Sequence, residues 1–455
     1  MVLDPEFSQT GFVAVPDRGG EEGCTASQSV FNLANTIVGA GVMALPRVVA
    51  ELGLLLGVGA ICACAAISVF ALESIVWEAE ATRQTVSYGA LVESQFGRWG
   101  GASMQLAIIV NNFGIMIVYL IIASDVLVGS GEIKGVLPAV FGTLSGAEAP
   151  WFFSKAFVLC ALAALGLLPL VCLRSLRKLS VASMASIGIA IAFSITTAAI
   201  AVTATARGVE ADVTLLPDER LLGDTPARMA RNTLQALPVV LTSYNCHFNV
   251  HSIMNELRGY TRARMSYVVR AAVGICCLMY VAVGAGAYLL FGEGTTADVL
   301  ASYGREKLGP ALGDRGALVT ATVAKTLYTA TLVVTFPMIN WALRINAFEL
   351  GWGRTPDPGS FPWYAATGVL LVLALLAAIT IPSIFVAIEL TGATAGVLIA
   401  FFWPMTLLLK IKRDRGELTW GTGLVAGGVL TLGLLVAVVG TWEAVDTMRG
   451  KSSHG

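Results

Sequence analysis

The sequence predicts an all-α integral membrane protein with about eleven transmembrane helices. Of its 455 residues, 56% are hydrophobic and only 13% are charged, whereas soluble proteins carry about 25% charged residues. The mean hydropathy is +0.76. Because so few charges cannot cover a water-facing surface, most of the chain is expected to lie in a lipid bilayer.

The spans follow from runs of apolar residues, since a helix needs roughly 20 mostly apolar residues to cross the bilayer. We number the predicted spans 1 to 11, and they cover residues 27–50, 53–77, 101–129, 152–172, 180–205, 231–257, 263–291, 317–347, 361–384, 386–410 and 418–443. Pro382 is the main break between spans 9 and 10. Span 6 differs from the others because it is polar at both ends.

The spans and the polar segments between them divide the chain into regions. Residues 1–26 contain no apolar signal sequence and are predicted to form a disordered cytosolic tail. The remaining regions are a first set of five helices over 27–205, an outer or luminal loop over 206–230, a second set of five helices over 231–410, an eleventh helix over 411–443 and a short tail over 444–455.

The distribution of Lys and Arg predicts the orientation in the membrane. Short loops after even-numbered spans are rich in basic residues, whereas the two longest opposite loops mix basic with acidic residues. Short basic loops stay in the cytosol, and long loops cross the membrane largely regardless of charge. The N-terminus is therefore predicted to be cytosolic and the C-terminus to be outside the cell or in a lumen.

Charge and motifs exclude several function classes. The net charge of −1 provides no basic surface for nucleic acid. The chain has no phosphate-binding loop, dinucleotide fingerprint or hydrolase motif, so neither enzyme activity nor an organic cofactor is predicted. His247 and His251 are spaced to share a helix face, but no third ligand follows at a suitable spacing, so no metal site is predicted.

Two spans are interrupted at matching positions. Gly39-Ala40-Gly41 interrupts span 1, and Thr242-Ser-Tyr-Asn245 interrupts span 6, five spans later. Irregular backbone at membrane depth survives only where it lines a cavity, and paired breaks in two halves are typical of a transporter binding site. Because each half has an odd number of spans, the two halves are expected to be inverted repeats, with span 11 added outside them.

Polar residues inside the spans are costly, and this makes them functional candidates. Side-chain oxygens of Asn32, Asn35 and Thr36, together with carbonyl groups freed at 38–41, are suited to coordinate a cation. Freed N–H groups at the start of the second half-helix are suited to hold a carboxylate. The two breaks thus fit the two charged ends of an amino acid.

Further candidates lie in spans 3, 6 and 8. Asn111 and Asn112 lie within span 3, and polar residues crowd span 6. Lys325 lies deep in span 8, where it either pairs with an acidic residue such as Glu73 or Glu389 or occupies a cation site itself. His247 and His251 either relay protons or form hydrogen bonds between helices.

Several of these segments resemble the amino acid/auxin permease family. Residues 29–46, SVFNLANTIVGAGVMALP, are similar to the first span of that family, and residues 246–257, CHFNVHSIMNEL, are similar to its sixth span. Phe336-Pro337-Met338 and residues 389–394, ELTGAT, extend the match. The resemblance covers residues 27–410 and is nearest to the sodium-coupled neutral amino acid transporters and the plant and fungal vacuolar amino acid transporters.

The resemblance implies a leucine-transporter-type fold, with two inverted five-helix repeats plus one helix, and amino acid transport coupled to Na⁺ or H⁺. Combined with the polar residues above, it predicts two sets of site residues. The predicted substrate-binding residues are Thr36, Ile37, Gly39, Ala40, Gly41, Asn111, Ser243, Tyr244, Asn245 and His247. The predicted coupling-ion residues are Asn35, Val38, Lys325, Thr329 and Thr331, with a span 8 threonine at the cation implied by the family.

Two departures from the sodium-coupled members favour a proton-linked, vacuolar or endomembrane protein over one in the plasma membrane. Residues 206–230 and 292–316 contain no cysteine, whereas the animal members have a disulfide between these loops. Lys325 also lies near the expected cation position. A neutral amino acid is the favoured substrate, and the alternative function is an amino acid sensor with little transport.

Overall fold

The structure is a computed structural model that describes residues 23–39, 41–83, 87–130, 133–141, 150–173, 180–209, 211–217, 225–381 and 383–449. Residues 1–22 of the predicted N-terminal tail lie outside the described residues. Ala40, Pro382 and residues 450–455 of the predicted C-terminal tail also lie outside them.

Most of the described residues are helical. The helices are α1 (Ala26–Ile37), α2 (Gly41–Leu52), α3 (Leu54–Thr82), α4 (Tyr88–Val128), α5 (Val136–Phe141), α6 (Lys155–Val171), α7 (Ser180–Ala206), α8 (Pro226–Ser243), α9 (Val250–Glu256), α10 (Arg262–Phe291), α11 (Val299–Ser302), α12 (Arg305–Trp352), α13 (Phe361–Thr380), α14 (Ile384–Asp414) and α15 (Trp420–Met448). Within α6 and α14 the helix widens into π-helical turns at Leu162–Leu167, Gly392–Gly396 and Leu398–Phe402.

Short segments connect some of these helices. The strands β1 (Gly129–Ser130) and β2 (Ile133–Lys134) pair antiparallel, with Gly129 opposite Lys134. Single 3₁₀ turns occur at Trp151–Phe153, His247–Asn249 and Gly292–Gly294.

The described helices fall into eleven segments that correspond to the predicted spans, and eight or nine of them are long and apolar enough to cross a bilayer. Eight helices, α3, α4, α7, α10, α12, α13, α14 and α15, are each long and apolar enough to cross a bilayer. A ninth span consists of α1 and α2, which meet at an angle of 62°. The shorter apolar helix α6 and the interrupted pair α8–α9 complete the eleven segments within the described part of the chain. The predicted all-α membrane fold is confirmed.

Local sequence determines where several helices begin. Thr25 and Gln28 form a capping box, in which the Thr25 hydroxyl accepts from Gln28 N and the Gln28 side chain accepts from Thr25 N. Gly97 and Gly313 have φ of 71° and 73°, a conformation that favours glycine. Each kinks its helix, so a short preceding helix joins the start of span 3 or span 8.

The helices pack as two groups. In the first group, α10 contacts α1, α2, α3 and α7. In the second group, α4 contacts α12, α13 and α14. The helix α7 also packs on α12 and so joins the two groups. The helix α15 packs on α8 and α14. The breaks in spans 1 and 6 lie where these groups meet.

Candidate functional site at the two helix breaks

The first break lies between α1 and α2. The helix α1 ends at Ile37, and Val38 takes an extended conformation with ψ of 98° while its N–H donates to Ala34 O at 2.8 Å. The carbonyl groups of Ile37 and Gly39 then leave the helical hydrogen-bonding pattern. Both point toward tyrosine hydroxyl groups of other spans.

Two tyrosines satisfy the freed carbonyls. The Tyr280 hydroxyl, on α10, lies 2.8 Å from Ile37 O and 2.7 Å from Ser243 O, so its one proton can be donated to either break. The Tyr328 hydroxyl, on α12, donates to Gly39 O at 2.9 Å. Because buried carbonyl groups require a donor, these hydroxyls stabilise the irregular backbone.

The second break separates α8 from α9. The helix α8 ends at Ser243, and Tyr244–Cys246 precede the 3₁₀ turn at His247–Asn249. The Thr242 hydroxyl donates to Pro238 O at 2.8 Å and lies 3.3 Å from Ile388 O of α14. Because a proline inside a helix removes one backbone donor, Pro238 and the following turn weaken the helix before the break.

The two breaks touch at Gly41 and Ser243. A Cβ atom at Gly41 would lie 2.3 Å from Ser243 Oγ and 2.8 Å from Ser243 Cα. The Ser243 hydroxyl itself donates to Val239 O at 2.8 Å within α8. Only glycine fits at position 41 without separating the two spans.

A cavity of about 310 Å³ opens beside the breaks. It is lined by Asn35, Thr36, Ile37, Val38, Gly39, Gly41, Asn112, Ile115, Val118, Tyr119, Thr242, Asn245, Phe248, Asn249, Thr335, Met338, Ile339, Trp341, Ala342, Ile388 and Thr391. No residue of this lining is charged. The cavity is therefore uncharged, and its surface is more apolar than polar.

Seven predicted site residues line this cavity: Asn35, Thr36, Ile37, Val38, Gly39, Gly41 and Asn245. Across the cavity, the Asn249 side chain donates to the Thr36 hydroxyl at 3.4 Å. The structure thus brings the first break and the second break to one site.

Other predicted substrate residues lie behind the lining. Asn111 is fully buried, and its Oδ1 accepts from Asn245 Nδ2 at 2.9 Å. The side chains of Ser243, Tyr244 and His247 are buried beside the second break. Among the described residues, neither ring nitrogen of His247 has a hydrogen-bond partner, whereas the Tyr244 hydroxyl lies beside the Cys277 thiol. Ala40 lies outside the described residues.

The predicted coupling residues of span 8 differ in their surroundings. Lys325 is 5% exposed and lies outside the cavity lining. Thr329, one turn later, is buried, and its hydroxyl has no hydrogen-bond partner in the described structure. The Thr331 hydroxyl instead donates to Leu327 O at 3.0 Å within its own helix.

The acidic group near Lys325 is Asp298, which the sequence had not suggested. Of the two carboxylates considered from sequence, Glu73 pairs with Arg270 at 2.6 Å, and Glu389 hydrogen-bonds to Gln235. Asp298 lies in the loop before α11, and its contact with span 8 is a tertiary one that no spacing pattern reveals.

Sequence reasoning also missed several residues of the site. Tyr280 and Tyr328 were not singled out, although a tyrosine deep in a span signals a hydroxyl that needs a partner. Of the two asparagines noted in span 3, Asn112 lines the cavity, whereas Asn111, the one assigned to the substrate, supports the lining from behind. Met338 and Trp341 complete the wall formed by span 8, and their apolar character gave no signal.

Comparison with known proteins identifies the family. Residues 22–445 match the family described as transmembrane amino acid transporter protein. The chain belongs to this family. It is 31% identical over 451 residues to amino acid transporter AVT6E of Arabidopsis thaliana, covering 99% of this chain and 89% of the relative.

Other relatives are similar over most of their length. Amino acid transporter AVT6A of A. thaliana is 35% identical over 400 residues, which cover 86% of this chain and 83% of the relative. A putative sodium-coupled neutral amino acid transporter 11 of Danio rerio is 26% identical over 446 residues, which cover 96% of this chain and 89% of the relative.

Solved structures show the same fold. A manganese transporter of Eremococcus coleocola aligns with a TM-score of 0.61 and 13% identity, covering 94% of this chain and 88% of that one. MhsT in complex with L-phenylalanine aligns with a TM-score of 0.57 and 16% identity, covering 92% of this chain and 100% of MhsT. The predicted leucine-transporter-type fold is therefore confirmed, and the chain is a multi-pass amino acid transporter rather than an enzyme.

Proposed function

We propose that this transporter carries neutral amino acids by alternating access and that a proton gradient drives it. The observation that carries the proposal is the uncharged cavity at the two helix breaks, which is lined by both apolar and polar side chains. An uncompensated charge on a substrate side chain would lose its hydration there without gaining an opposite charge. Lys325 and His247 are the two predicted site residues that could attract an acidic substrate, and neither lines the cavity.

The ends of the two half-helices match the ends of a zwitterion. The first N–H groups of a helix lack partners within the helix and favour a negative charge. The substrate carboxylate is therefore proposed to bind at the start of α2, beside Gly41. The substrate ammonium group would face the carbonyl groups and side-chain oxygens of Asn35, Thr36 and Asn245, all of which lie in the lining.

Movement between two states follows from the packing of the helices. The breaks are joined to α10 by Tyr280 and to α12 by Tyr328. Rocking of the α10 group against the α4–α12 group would open the cavity first to one face and then to the other. The aqueous access path would alternate while the binding residues stay together.

Lys325 supports H⁺ as the coupling ion. A buried ammonium group near the expected cation position carries the positive charge that a bound Na⁺ would otherwise supply. Sodium is the second candidate, because Asn35 and Val38 line the cavity and the buried Thr329 hydroxyl has no partner among the described residues. Thr331 is retained in the proposed coupling set only through the family resemblance.

We further propose an endomembrane, vacuolar-type location with the N-terminus in the cytosol. The support is the distribution of basic residues in short loops and the absence of cysteine from residues 206–230 and 292–316. Protease access to tags at the two termini in intact vesicles tests the orientation: the N-terminal tag should be cut from the cytosolic side only.

Uptake into proteoliposomes tests the function. Purified protein is reconstituted, and radiolabelled amino acids are offered with an imposed H⁺ or Na⁺ gradient, each varied alone. We expect H⁺-driven accumulation of neutral amino acids above a protein-free control. Accumulation driven only by Na⁺ would overturn the proton coupling, and binding without uptake under any gradient would favour the amino acid sensor.

A further inference from the structure

A group of buried charges lies on the side of the molecule opposite the N-terminus. The N-terminal segment pairs with the end of α9, where Cys24 N donates to Glu256 O at 2.7 Å, so α10 begins on the N-terminal side and ends on the opposite side. The loop that follows α10 carries Asp298, which is 3% exposed. This loop packs between α2, α4 and α12.

Asp298 is only partly satisfied by its own loop. Its Oδ1 accepts from Leu300 N at 3.0 Å and caps α11. Its Oδ2 is buried and has no hydrogen-bond partner in the described part of the chain. A buried carboxylate oxygen without a donor is costly, whereas a protonated carboxyl group at the same place is much less so.

The charged groups around Asp298 come from every packed helix. From α12, Lys325 attracts its negative charge; from α4, Asp125 repels it. Asp125 is itself 3.6 Å from Lys155 of α6. From α2, Arg47 pairs with Glu51 at 2.8 Å and donates to Thr295 O rather than to Asp298.

These surroundings allow Asp298 to gain or lose a proton near neutral pH. Burial, followed by repulsion from Asp125, raises the pKa of this loop carboxyl group to about 8, while the Leu300 N–H and Lys325 act in the opposite direction. Because the pKa is raised, the group is neutral below about pH 8 and charged above it. An acidic compartment on that side would therefore protonate it.

Span 8 connects this carboxyl group to the first break. Lys325 and Tyr328 are three residues apart on α12 and so lie on the same side of the helix. The Tyr328 hydroxyl donates to Gly39 O in the substrate site. A change in the attraction between Asp298 and Lys325 would thus act on the part of α12 that holds the break.

We propose that Asp298 is the group that binds the coupling proton, with Lys325 as the charge that responds to it. In the step, the Asp298 carboxylate takes up one proton and becomes a neutral carboxyl group, which removes the attraction for the Lys325 ammonium group. Release of that proton on the other side restores the pair. The inference rests on the proposed H⁺-coupled transport and names the proton site within it.

The test compares gradient-driven uptake with substrate exchange in proteoliposomes, for the full chain and for Asp298→Asn. Asparagine keeps an oxygen that can cap α11 but cannot bind a proton near neutral pH. We expect Asp298→Asn to lose its response to a pH gradient while exchange of labelled for unlabelled amino acid continues. In the unaltered chain, uptake should rise as the pH on the Asp298 side falls through about 8.

Asp314→Asn is the matched control, because Asp314 is 69% exposed and pairs with Arg305 on the same side of the molecule. It should leave the pH response unchanged. If Asp298→Asn lost exchange as well, Asp298→Glu would show whether the carboxyl group is what the transporter needs. Glutamate keeps a carboxyl group, so this variant should respond to a pH gradient. An Asp298→Glu variant without that response would overturn the proposal.

The outcomes distinguish the proposed H⁺ coupling from the assignment of Asp298 as its proton site. An unaltered chain that accumulates substrate without any response to a pH gradient would contradict the proposed H⁺ coupling and the proton site together. An unaltered chain that does respond, with Asp298→Asn responding equally, would overturn the assignment of Asp298 alone.

Discussion

At the scale of single residues, one hydroxyl group links the two breaks. Tyr280 lies within hydrogen-bonding distance of Ile37 O and Ser243 O, and it is fully buried against Tyr244. Since it has one proton, it can satisfy one carbonyl at a time. Its removal would leave both carbonyls without this donor.

Tyr280→Phe is expected to lower uptake about tenfold, because an unsatisfied buried polar group costs about 1–3 kcal/mol and 1.4 kcal/mol corresponds to a factor of ten. The control is Tyr267→Phe on the same helix, because Tyr267 is 61% exposed. Uptake and the thermal unfolding midpoint in detergent would be measured for both. Equal uptake in the two variants would show that the hydroxyl does not support the site.

Gly41 is the second residue on which the site depends. Gly41→Ala is expected to abolish uptake, because its Cβ atom would overlap Ser243 and overpacking of a tight contact costs about 1–3 kcal/mol. Gly274→Ala on α10 is the control, because a Cβ atom there meets nothing within 4 Å. Normal uptake by a folded Gly41→Ala variant would refute the close contact between the breaks.

Sequence identified the residues of the first break better than those of the second. Two glycines in an apolar span signal a break directly, and Gly39 and Gly41 do line the cavity. The residues after Ser243 follow neither helical nor strand periodicity, because the backbone turns before the 3₁₀ segment at 247–249. The directions of Tyr244 and His247 therefore could not be predicted from spacing.

At the scale of elements, span 8 presents two different faces. Lys325 and Thr329 are four residues apart and share one face, where both are buried. Thr331 lies two residues after Thr329 and therefore on another face of the helix. Its hydroxyl group forms a hydrogen bond within α12.

This difference predicts unequal effects of two similar substitutions. Thr329→Val is expected to lower gradient-driven uptake by up to about tenfold. The Thr329 hydroxyl has no partner among the described residues, so its loss removes a group available to a bound ion or water, worth about 0.5–1.5 kcal/mol. Thr331→Val on the same helix should stay within about twofold, because its hydroxyl has only an intrahelical role. Initial uptake rates of the two variants would be compared at fixed pH and Na⁺ concentration. A larger loss of uptake in Thr331→Val than in Thr329→Val would contradict the assignment of the functional face to Thr329.

Element boundaries were predictable where composition changes sharply. The predicted starts of spans 3 and 8, at residues 101 and 317, fall just after the kinks at Gly97 and Gly313. The short helices before these kinks were not predicted, because they are too short and too polar to form an apolar run. The helix α6 is continuous through π-helical turns, which no apolar pattern distinguishes from an ordinary helix.

At the scale of the whole molecule, the number of spans and the five-span separation of the breaks predicted an all-α membrane protein with two inverted halves, and the leucine-transporter-type fold followed from the family resemblance. The number of spans and the separation of the breaks follow from hydropathy and glycine positions, which a bilayer constrains strongly. The approach of Asp298 to Lys325 could not be predicted, because it depends on how a loop folds back between α2, α4 and α12. Charges that meet through tertiary packing leave no periodic trace in the sequence.

The most direct test of the account is a structure determined with the best-transported neutral amino acid bound. The substrate should occupy the cavity between the two breaks, with its carboxylate at the start of α2 beside Gly41 and its side chain toward Met338 and Trp341. Substrate bound outside the residues that line this cavity, in a protein that still transports it, would contradict the central claim that the paired breaks form the binding site.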